Sequence, residues 1–246
     1  MDTKNCLIRQ PAGWGDIIFC QKIAAKLIEQ GYHVHWPVVD FYYDTVNKYM
    51  KKDGITFCRE TDEFPFKDAY NAGIMPPSRD HEENLYIPLQ YADKLMKSEI
   101  PFDVLSIKYK IINLDYFDWT DYVAFDRDLE RENRLFYEHF GLKDDSKYVI
   151  VNRWFGTTVD GYRKDMNIPE DMQVIEMEPL GFDNIFDWCK LFENATEIHT
   201  VDTAICYIME KLNLKADSMH WYTRNLPQYG YAYCENIYKN NWNYNL

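Results

Sequence analysis

The spacing of apolar residues in the first part of the chain alternates between two periods. Short apolar runs predict strands, and apolar positions three and four residues apart predict helices between them. Alternation of this kind is typical of parallel strands joined by right-handed crossovers. The predicted elements are strand Cys6–Gln10, helix Ile17–Gln30 ending at Gly31, strand His33–Val38, helix Phe41–Lys51 and strand Ile55–Cys58.

The same alternation returns in the second part of the chain, after a less regular stretch at 61–126. That stretch predicts only a strand at Leu85–Leu89 and a helix at Gln90–Lys97. The sequence therefore predicts two α/β halves, residues 1–145 and 146–246, with an aromatic C-terminal tail packed against the second. The predicted elements of the second part are helix Arg127–Phe140, strand Tyr148–Asn152, strand Gln173–Met177, helix Asn184–Glu193, a strand beginning at Glu197 and a helix beginning near Ala204.

Asp202 and Thr203 lie between that last strand and helix. Their side chains can cap the helix, or they can leave its amide groups for an anionic ligand. In an open α/β sheet, ligands bind outside the carboxyl ends of the strands. Both interpretations remain open at this point.

Composition fits a protein that folds around its own core. A chain of 246 residues with 46% hydrophobic content can form one large domain or two small ones. The six cysteines are widely spaced and include no C-x-x-C pair, so we expect buried, reduced thiols. No leader pattern and no apolar segment of about 18 residues is present, which predicts a cytoplasmic protein without a transmembrane segment.

The net charge of −13 argues against nucleic acid as a partner, because phosphate backbones require clustered cations. An anionic ligand would need a local basic patch instead. Arg153, Thr157, Arg163 and Lys164 follow the predicted strand Tyr148–Asn152 and supply such a patch. They predict a diphosphate site, with a solvated loop as the alternative.

Gly13-Trp14-Gly15-Asp16 forms a second motif, in the loop after the first predicted strand. The two glycines permit a tight turn and close backbone approach, and Asp16 is either a helix cap or a functional carboxylate. Ile18 occupies the third glycine position of a dinucleotide fingerprint, yet Asp40 near the end of the second strand keeps a nicotinamide or flavin site open. The histidines show no metal-ligand spacing, so no metal site is predicted.

These motifs together resemble the heptosyltransferase family of B-type glycosyltransferases. The resemblance rests on the Gly-x-Gly-Asp loop, the basic loop after the first strand of the second half, and Val201-Asp202-Thr203 before the last helix. The family has Asp-Thr/Ser-Gly-x-x-His at that last site. Here Ala204 replaces the glycine and Tyr207 replaces the histidine.

The resemblance implies a compact fold of two Rossmann-like halves facing a cleft, with the acceptor on the N-terminal side and the donor on the C-terminal side. It implies inverting, metal-independent transfer of a sugar from a nucleotide-sugar to a glycan or other hydroxyl acceptor, with no further cofactor. Asp16 would be the general base in the Gly13-Trp14-Gly15 loop. Arg153, Thr157, Arg163, Lys164, Asp202 and Thr203 would bind the donor.

Two alternatives remain open. One is a non-catalytic protein that binds a nucleotide-sugar or a glycan, which the replacements at Ala204 and Tyr207 favour. The other is a nucleotide-dependent epimerase or oxidoreductase on a related fold, which the Gly13-Trp14-Gly15-Asp16 loop and Asp40 leave possible.

Overall fold

A computed structural model describes residues 4–73, 76–80, 82–97, 104–156, 161–163, 165–178, 180–181, 183–224 and 237–245. The backbone contacts divide the chain into two units, Met1–Asp126 and Arg127–Leu246. Each unit contains a mainly parallel sheet with helices, so the predicted α/β class with two sheet-containing halves is confirmed. The predicted cleft between the halves stays a prediction.

The first unit begins with the predicted strand–helix–strand order. Its strands are β1 (Lys4–Ile8), β2 (Tyr32–Val38), β3 (Ile55–Arg59), β4 (Ser78–Arg79) and β5 (Leu85–Ile87). Its helices are α1 (Trp14–Phe19), α2 (Gln21–Glu29), α3 (Asp40–Tyr49), α4 (Lys67–Ala72), a 3₁₀ turn (Leu89–Tyr91), α5 (Ala92–Leu95), α6 (Val104–Lys110) and α7 (Trp119–Tyr122).

The strands described in this unit form one sheet in the order β3-β2-β1-β5-β4. β1 pairs in parallel with β2 on one side and with β5 on the other, while β4 runs antiparallel to β5. The connections therefore change direction between β1 and β5. In a sheet of this type, the carboxyl ends of the strands at that reversal are where ligands bind.

The second unit repeats this plan. Its strands are β6 (Tyr148–Asn152), β7 (Gln173–Glu176), β8 (Glu197–Val201), β9 (Ser218–Tyr222) and β10 (Asn243–Asn245). Its helices are α8 (Leu129–Asn133), a π-helical segment (Arg134–His139), α9 (Cys189–Asn194) and α10 (Ala204–Met209). All pairings between these strands are parallel, in the order β10-β9-β8-β6-β7, so the reversal lies between β6 and β8.

The division between the units lies earlier in the chain than the predicted boundary at 145/146. Arg127 pairs with Glu132 and Glu193, and Arg131 pairs with Asp187 at 2.7 Å. These ion pairs hold α8 against the second unit, so the helix before the predicted boundary belongs with the sheet that follows it. Asp128 is the N-cap of α8 and accepts a hydrogen bond from the Arg131 amide at 3.2 Å.

Several predicted helices differ from those observed, and two of them show why. The helix predicted over residues 17–30 is split at Cys20, which ends α1 and begins α2. The helix predicted at Asn184–Glu193 begins only at Cys189. Before it, the Asp187 carboxylate accepts hydrogen bonds from the Asn184 amide and side chain at 3.0 and 2.9 Å, which favours a turn at this position.

The aromatic tail packs onto the second unit where the structure describes it. Trp221 and Tyr222 lie in β9, and Tyr238 and Trp242 are buried against that unit. Cys234 lies outside the described residues, whereas the other five cysteines are buried free thiols, as expected. Among the described residues, no helix has the length and apolar character needed to cross a membrane.

Candidate functional site

The loop that carries Asp16 lies at the carboxyl end of β1, where the first sheet reverses direction. Gly13 adopts φ +88°, a conformation that residues with a side chain rarely adopt. A Cβ atom at Gly13 would lie 2.4 Å from Asp16 Oδ2. Glycine is therefore required both for the turn and for the close approach of the Asp16 carboxylate to the backbone. Asp16 is in the first turn of α1, whose N-cap is Gly13.

Lys108 is the charged partner of Asp16. Its Nζ lies 2.7 Å from Asp16 Oδ1, and its side chain is only 3% exposed, against 32% for Asp16. The same ammonium donates to the side-chain oxygen of Gln10. Gln10 is itself held in the loop by two hydrogen bonds. Its side-chain Nε2 donates to the Ala12 carbonyl at 2.7 Å, and its backbone carbonyl accepts from Trp36 Nε1 at 2.9 Å. Asp16 is thus a partly exposed carboxylate that is held in place by the buried Lys108 ammonium.

Aromatic rings surround this loop. Trp14 contacts Tyr42 edge to face, with 4.6 Å between ring centroids, and Tyr42 contacts Phe41 in the same way at 5.1 Å. Phe41 is 77% exposed, which is unusual for so large an apolar side chain. The first turn of α1 and the start of α3 therefore present an aromatic surface next to Asp16.

Asp40, the acidic residue of the nicotinamide interpretation, is exposed and paired with an arginine. Asp40 accepts a hydrogen bond from Arg59 Nη1 at 2.8 Å at the start of α3. A ribose hydroxyl would have to compete with that guanidinium. Ile18, at the third glycine position, is fully buried.

In the second unit, a polar cluster lies where β6 and β8 end. Asn152 Nδ2 donates to the hydroxyl oxygens of Thr200 and Thr203, at 3.1 Å in each case. Thr203 is the N-cap of α10 and is partly exposed, whereas Thr200 is fully buried and donates onward to the Val201 carbonyl at 2.8 Å. The β6–β8 pairing thus fixes the Thr203 hydroxyl at the carboxyl edge of the second sheet.

Asp202 is buried and does not supply the N-cap of α10. Its carboxylate accepts a hydrogen bond from the Tyr238 hydroxyl at 2.7 Å, and its carbonyl accepts from Arg224 Nε at the same distance. Burial raises the pKa of the Asp202 carboxyl, against the opposing effects of Arg224 and of the Tyr238 hydrogen bond. This residue therefore ties the 237–242 segment to the end of β8.

The two described arginines of the basic loop are bound to protein acceptors. Arg153 Nε donates to Glu176 at 3.0 Å. Arg163, buried, donates from Nη1 to the Thr223 carbonyl at 2.6 Å and from Nε to Asp165 at 2.9 Å. A diphosphate would have to compete with Glu176 and Asp165 for these cations. Thr157 and Lys164, the other two residues of the predicted patch, lie outside the described residues.

The two family positions that differ here lie in α10. Tyr207 is buried and contacts the Tyr238 ring at 5.5 Å, so its side chain belongs to the packing of the C-terminal segment. Ala204 follows the Thr203 N-cap and is partly exposed.

Comparison with known proteins identifies a solved structure with a similar fold. No protein-family model matches the chain, and no curated protein matches it. A crystal structure of a glycosyl transferase family 9 protein from Veillonella parvula DSM 2008 does match, with a TM-score of 0.55 and 8% identity over 99% of this chain and 87% of that one. The fold is similar to that of a family 9 glycosyltransferase.

That likeness concerns the fold alone, so the roles of the site residues rest on the geometry of this chain. Sequence reasoning selects Asp16 and Thr203 as candidates, but it does not select Lys108, Gln10 or Asn152, which lie beside them in the structure. Lys108 lies in the stretch without a regular apolar pattern, so no local signal marks it. Asn152 has a usable signal, since it ends a fully buried strand at the edge where ligands bind.

Sequence spacing also misses a group of three side chains on β8 and β9. Glu197, His199 and His220 place one potential ligand atom each within 4.8 Å of one another. The pairing of His199 opposite His220 creates this group. The apolar pattern does not predict β9 as a strand, so the two histidines are simply distant residues in the sequence.

Proposed function

We propose that this protein is a glycosyltransferase that moves a sugar from a nucleotide-sugar donor to a hydroxyl group of an acceptor. The observation that carries the proposal is the Asp16 carboxylate, partly exposed at the carboxyl end of β1 and fixed by the buried Lys108 ammonium. A general base must be held where it can reach a substrate proton, and a carboxylate anchored on one side meets that requirement. The similarity in fold to a family 9 glycosyltransferase agrees with this reaction class.

In the proposed reaction, Asp16 accepts the proton of the acceptor hydroxyl as its oxygen attacks the anomeric carbon of the donor. The bond from that carbon to the diphosphate oxygen breaks, and the nucleoside diphosphate leaves with the electron pair. A single displacement of this kind inverts the anomeric centre. Lys108 acts as a positioning residue, because it contacts Asp16 and Gln10.

The acceptor would contact the aromatic surface formed by Trp14, Phe41 and Tyr42. Aromatic rings provide rigid, partly apolar contact area, which suits the C–H faces of a sugar. This assignment gives Gly13 a conformational role before α1, whereas Gly15 lies in the first turn of that helix, and it leaves contact with the acceptor to Trp14.

The donor would bind at the carboxyl edge of the second sheet. Thr203 is the proposed contact, with its hydroxyl oriented by Asn152. Asp202 supports this position through Tyr238 and Arg224. Arg153, Thr157, Arg163 and Lys164 would stabilise charge on the departing diphosphate, which requires Arg153 and Arg163 to exchange their carboxylate partners for phosphate.

A second candidate function is binding of a nucleotide-sugar or a glycan without turnover. The observation that favours it is the pairing of both described arginines with Glu176 and Asp165, because cations held by carboxylates stabilise a departing diphosphate less. Binding without product formation would identify this function.

The test is calorimetric titration of the protein with UDP-, GDP- and ADP-sugars, followed by an assay for nucleoside diphosphate release. We expect one class of donor to bind and Thr203→Val to weaken that binding several-fold, as loss of one hydrogen bond of about 1 kcal/mol implies. Thr200→Val is the matched control, because Thr200 also accepts from Asn152 but is fully buried. The donor site would be refuted if no nucleotide-sugar bound, or if both variants changed affinity equally.

A further inference from the structure

Glu197, His199 and His220 form a compact group on one face of the second sheet. Glu197 and His199 are two residues apart on β8, so their side chains point to the same face, and His220 lies opposite His199 on β9. His199 Nε2 is 2.6 Å from Glu197 Oε1, and His220 Nε2 is 3.4 Å from the same oxygen. The three potential ligand atoms therefore lie within 4.8 Å of one another.

A pocket of about 210 Å³ opens at this group. Glu197, His220 and Tyr222 line it from the sheet, and the loop residues Asn167, Ile168 and Pro169 line it from the other side. His199 lies deeper and is almost completely buried, whereas His220 is partly exposed. The pocket is large enough to hold water molecules beside the two outer side chains.

We propose that Glu197, His199 and His220 bind a divalent transition-metal ion such as Zn²⁺, with water from the pocket completing its coordination. Two imidazoles and one carboxylate are a donor set that zinc accepts, and three protein ligands plus water are typical of zinc sites with an open position.

The distances suit this ion with small side-chain movements. Zinc ligands at about 2.1 Å in tetrahedral geometry lie about 3.4 Å from one another. His199 Nε2 lies 2.6 Å from Glu197 Oε1, which is shorter than that value, and His220 Nε2 lies 3.4 Å from the same oxygen, which equals it. The His199 and His220 rings are stacked, with centroids 4.4 Å apart and planes at 10°, so both lone pairs cannot point at one ion in this state. The more exposed His220 must turn about its broad terminal torsion when the ion binds.

Tyr222 provides a partner for the other nitrogen of His199. Its hydroxyl lies 2.9 Å from His199 Nδ1, and it also accepts a hydrogen bond from the Asn167 amide. In the metal-free protein, His199 Nε2 donates its proton to Glu197 and Nδ1 accepts from the Tyr222 hydroxyl. A metal ion at Nε2 would displace that proton, and Nδ1 would then carry the ring proton and donate it to Tyr222. Hydrogen bonds of this kind fix the tautomer and orientation of metal-binding histidines.

This site is separate from the Asn152 and Thr203 part of the proposed donor site, whereas Arg163, a proposed diphosphate contact, lies over the Tyr222 ring at 5.3 Å. Glu197, His199 and Val201 point to the face that carries Val149 and Val151, whereas Asn152 and Thr200 point to the opposite face. The proposal does not require metal in the transferase reaction.

The test uses the full chain, stripped of metal with a chelator and titrated with Zn²⁺ by calorimetry and with Co²⁺ by visible absorption. We expect one equivalent of each metal to bind, and Co²⁺ to show the intense bands of a four- or five-coordinate site. Glu197→Gln and His220→Ala should each weaken Zn²⁺ binding by at least about 10-fold. His220→Cys should keep binding and add a sulfur-to-cobalt charge-transfer band, since thiolates are zinc ligands.

The chain offers a matched control in the neighbouring histidines of β2. The rings of His33 and His35 lie 4.9 Å apart, and their Nε2 atoms contact Thr56 and Asn5, not a carboxylate. His33→Ala with His35→Ala should leave Zn²⁺ affinity unchanged. Circular dichroism establishes that each variant is folded. The proposal is overturned if the wild type binds no metal, or if folded His220→Ala binds Zn²⁺ as tightly as the wild type.

Discussion

The carboxylate of Asp16 and the ammonium of Lys108 form an ion pair across the end of β1, with 2.7 Å between Oδ1 and Nζ. The pair is asymmetric, because the lysine is buried and the carboxylate is partly open to solvent. Lys108 also binds Gln10, so one buried cation sets the position of both the carboxylate and the loop that precedes it.

Replacing Lys108 with methionine should lower turnover while leaving donor affinity unchanged, because Asp16 loses its anchor and the donor residues are untouched. The free energy of unfolding should fall by about 1–3 kcal/mol, the range for loss of a hydrogen bond to a charged group. Urea unfolding and initial-rate kinetics measure the two effects. Lys110→Met, an exposed lysine on the same helix, is the control and should change neither.

Gly13→Ala should both destabilise the protein and reduce turnover. Its φ of +88° costs about 1–3 kcal/mol for a residue with a side chain, and the new methyl would displace the Asp16 carboxylate 2.4 Å away. Gly31 has the same φ, but no atom lies within 4 Å of the position that an alanine methyl would occupy there, so Gly31→Ala isolates the backbone cost. Equal losses of turnover in both variants would contradict the role given to the Gly13–Asp16 contact.

Asp202→Asn should stabilise the protein at neutral pH. Burial raises the folded-state pKa of Asp202 above its unfolded value, so between those two pKa values the folded protein binds more protons than the unfolded chain. The contribution of Asp202 to stability therefore declines as pH rises through that window. Asparagine does not ionise, and its side-chain oxygen can still accept the hydrogen bond from the Tyr238 hydroxyl.

Urea unfolding of the wild type and Asp202→Asn at several pH values checks this sign. The stability difference should be largest at neutral pH and should shrink as pH falls. Asp217→Asn, an exposed acid before β9, controls for the general effect of removing a negative charge from an acidic protein. A variant less stable than the wild type at neutral pH would show that the ionised Asp202 is favoured by its surroundings.

Sequence reasoning succeeds where apolar pattern and burial agree. β6 is predicted with its observed bounds, because Tyr148–Asn152 is buried along its whole length and contains an apolar run. The loop from Gly13 to Asp16 is located because glycines mark a turn whose backbone other residues rarely adopt. The α/β class follows from this regular alternation of strand and helix.

It fails where position depends on distant partners. Lys108 is significant only because α6 brings it to Asp16. The sequence presents Arg153 and Arg163 as ligand-binding cations, since it does not show that folding brings Arg153 to Glu176 and Arg163 to the Thr223 carbonyl. The His199–His220 pair likewise depends on strand register. The spacing of residues along the chain does not show which of them are close together in the fold.

Asp16→Asn tests the central claim most directly, once the donor is identified. Asparagine keeps the size of the side chain but cannot accept the acceptor proton. We expect donor affinity by calorimetry to stay at the wild-type value while the rate of product formation falls by about 10²–10⁴-fold, the usual contribution of a general base. Transfer at the wild-type rate by folded Asp16→Asn would contradict the assignment of Asp16 as the base.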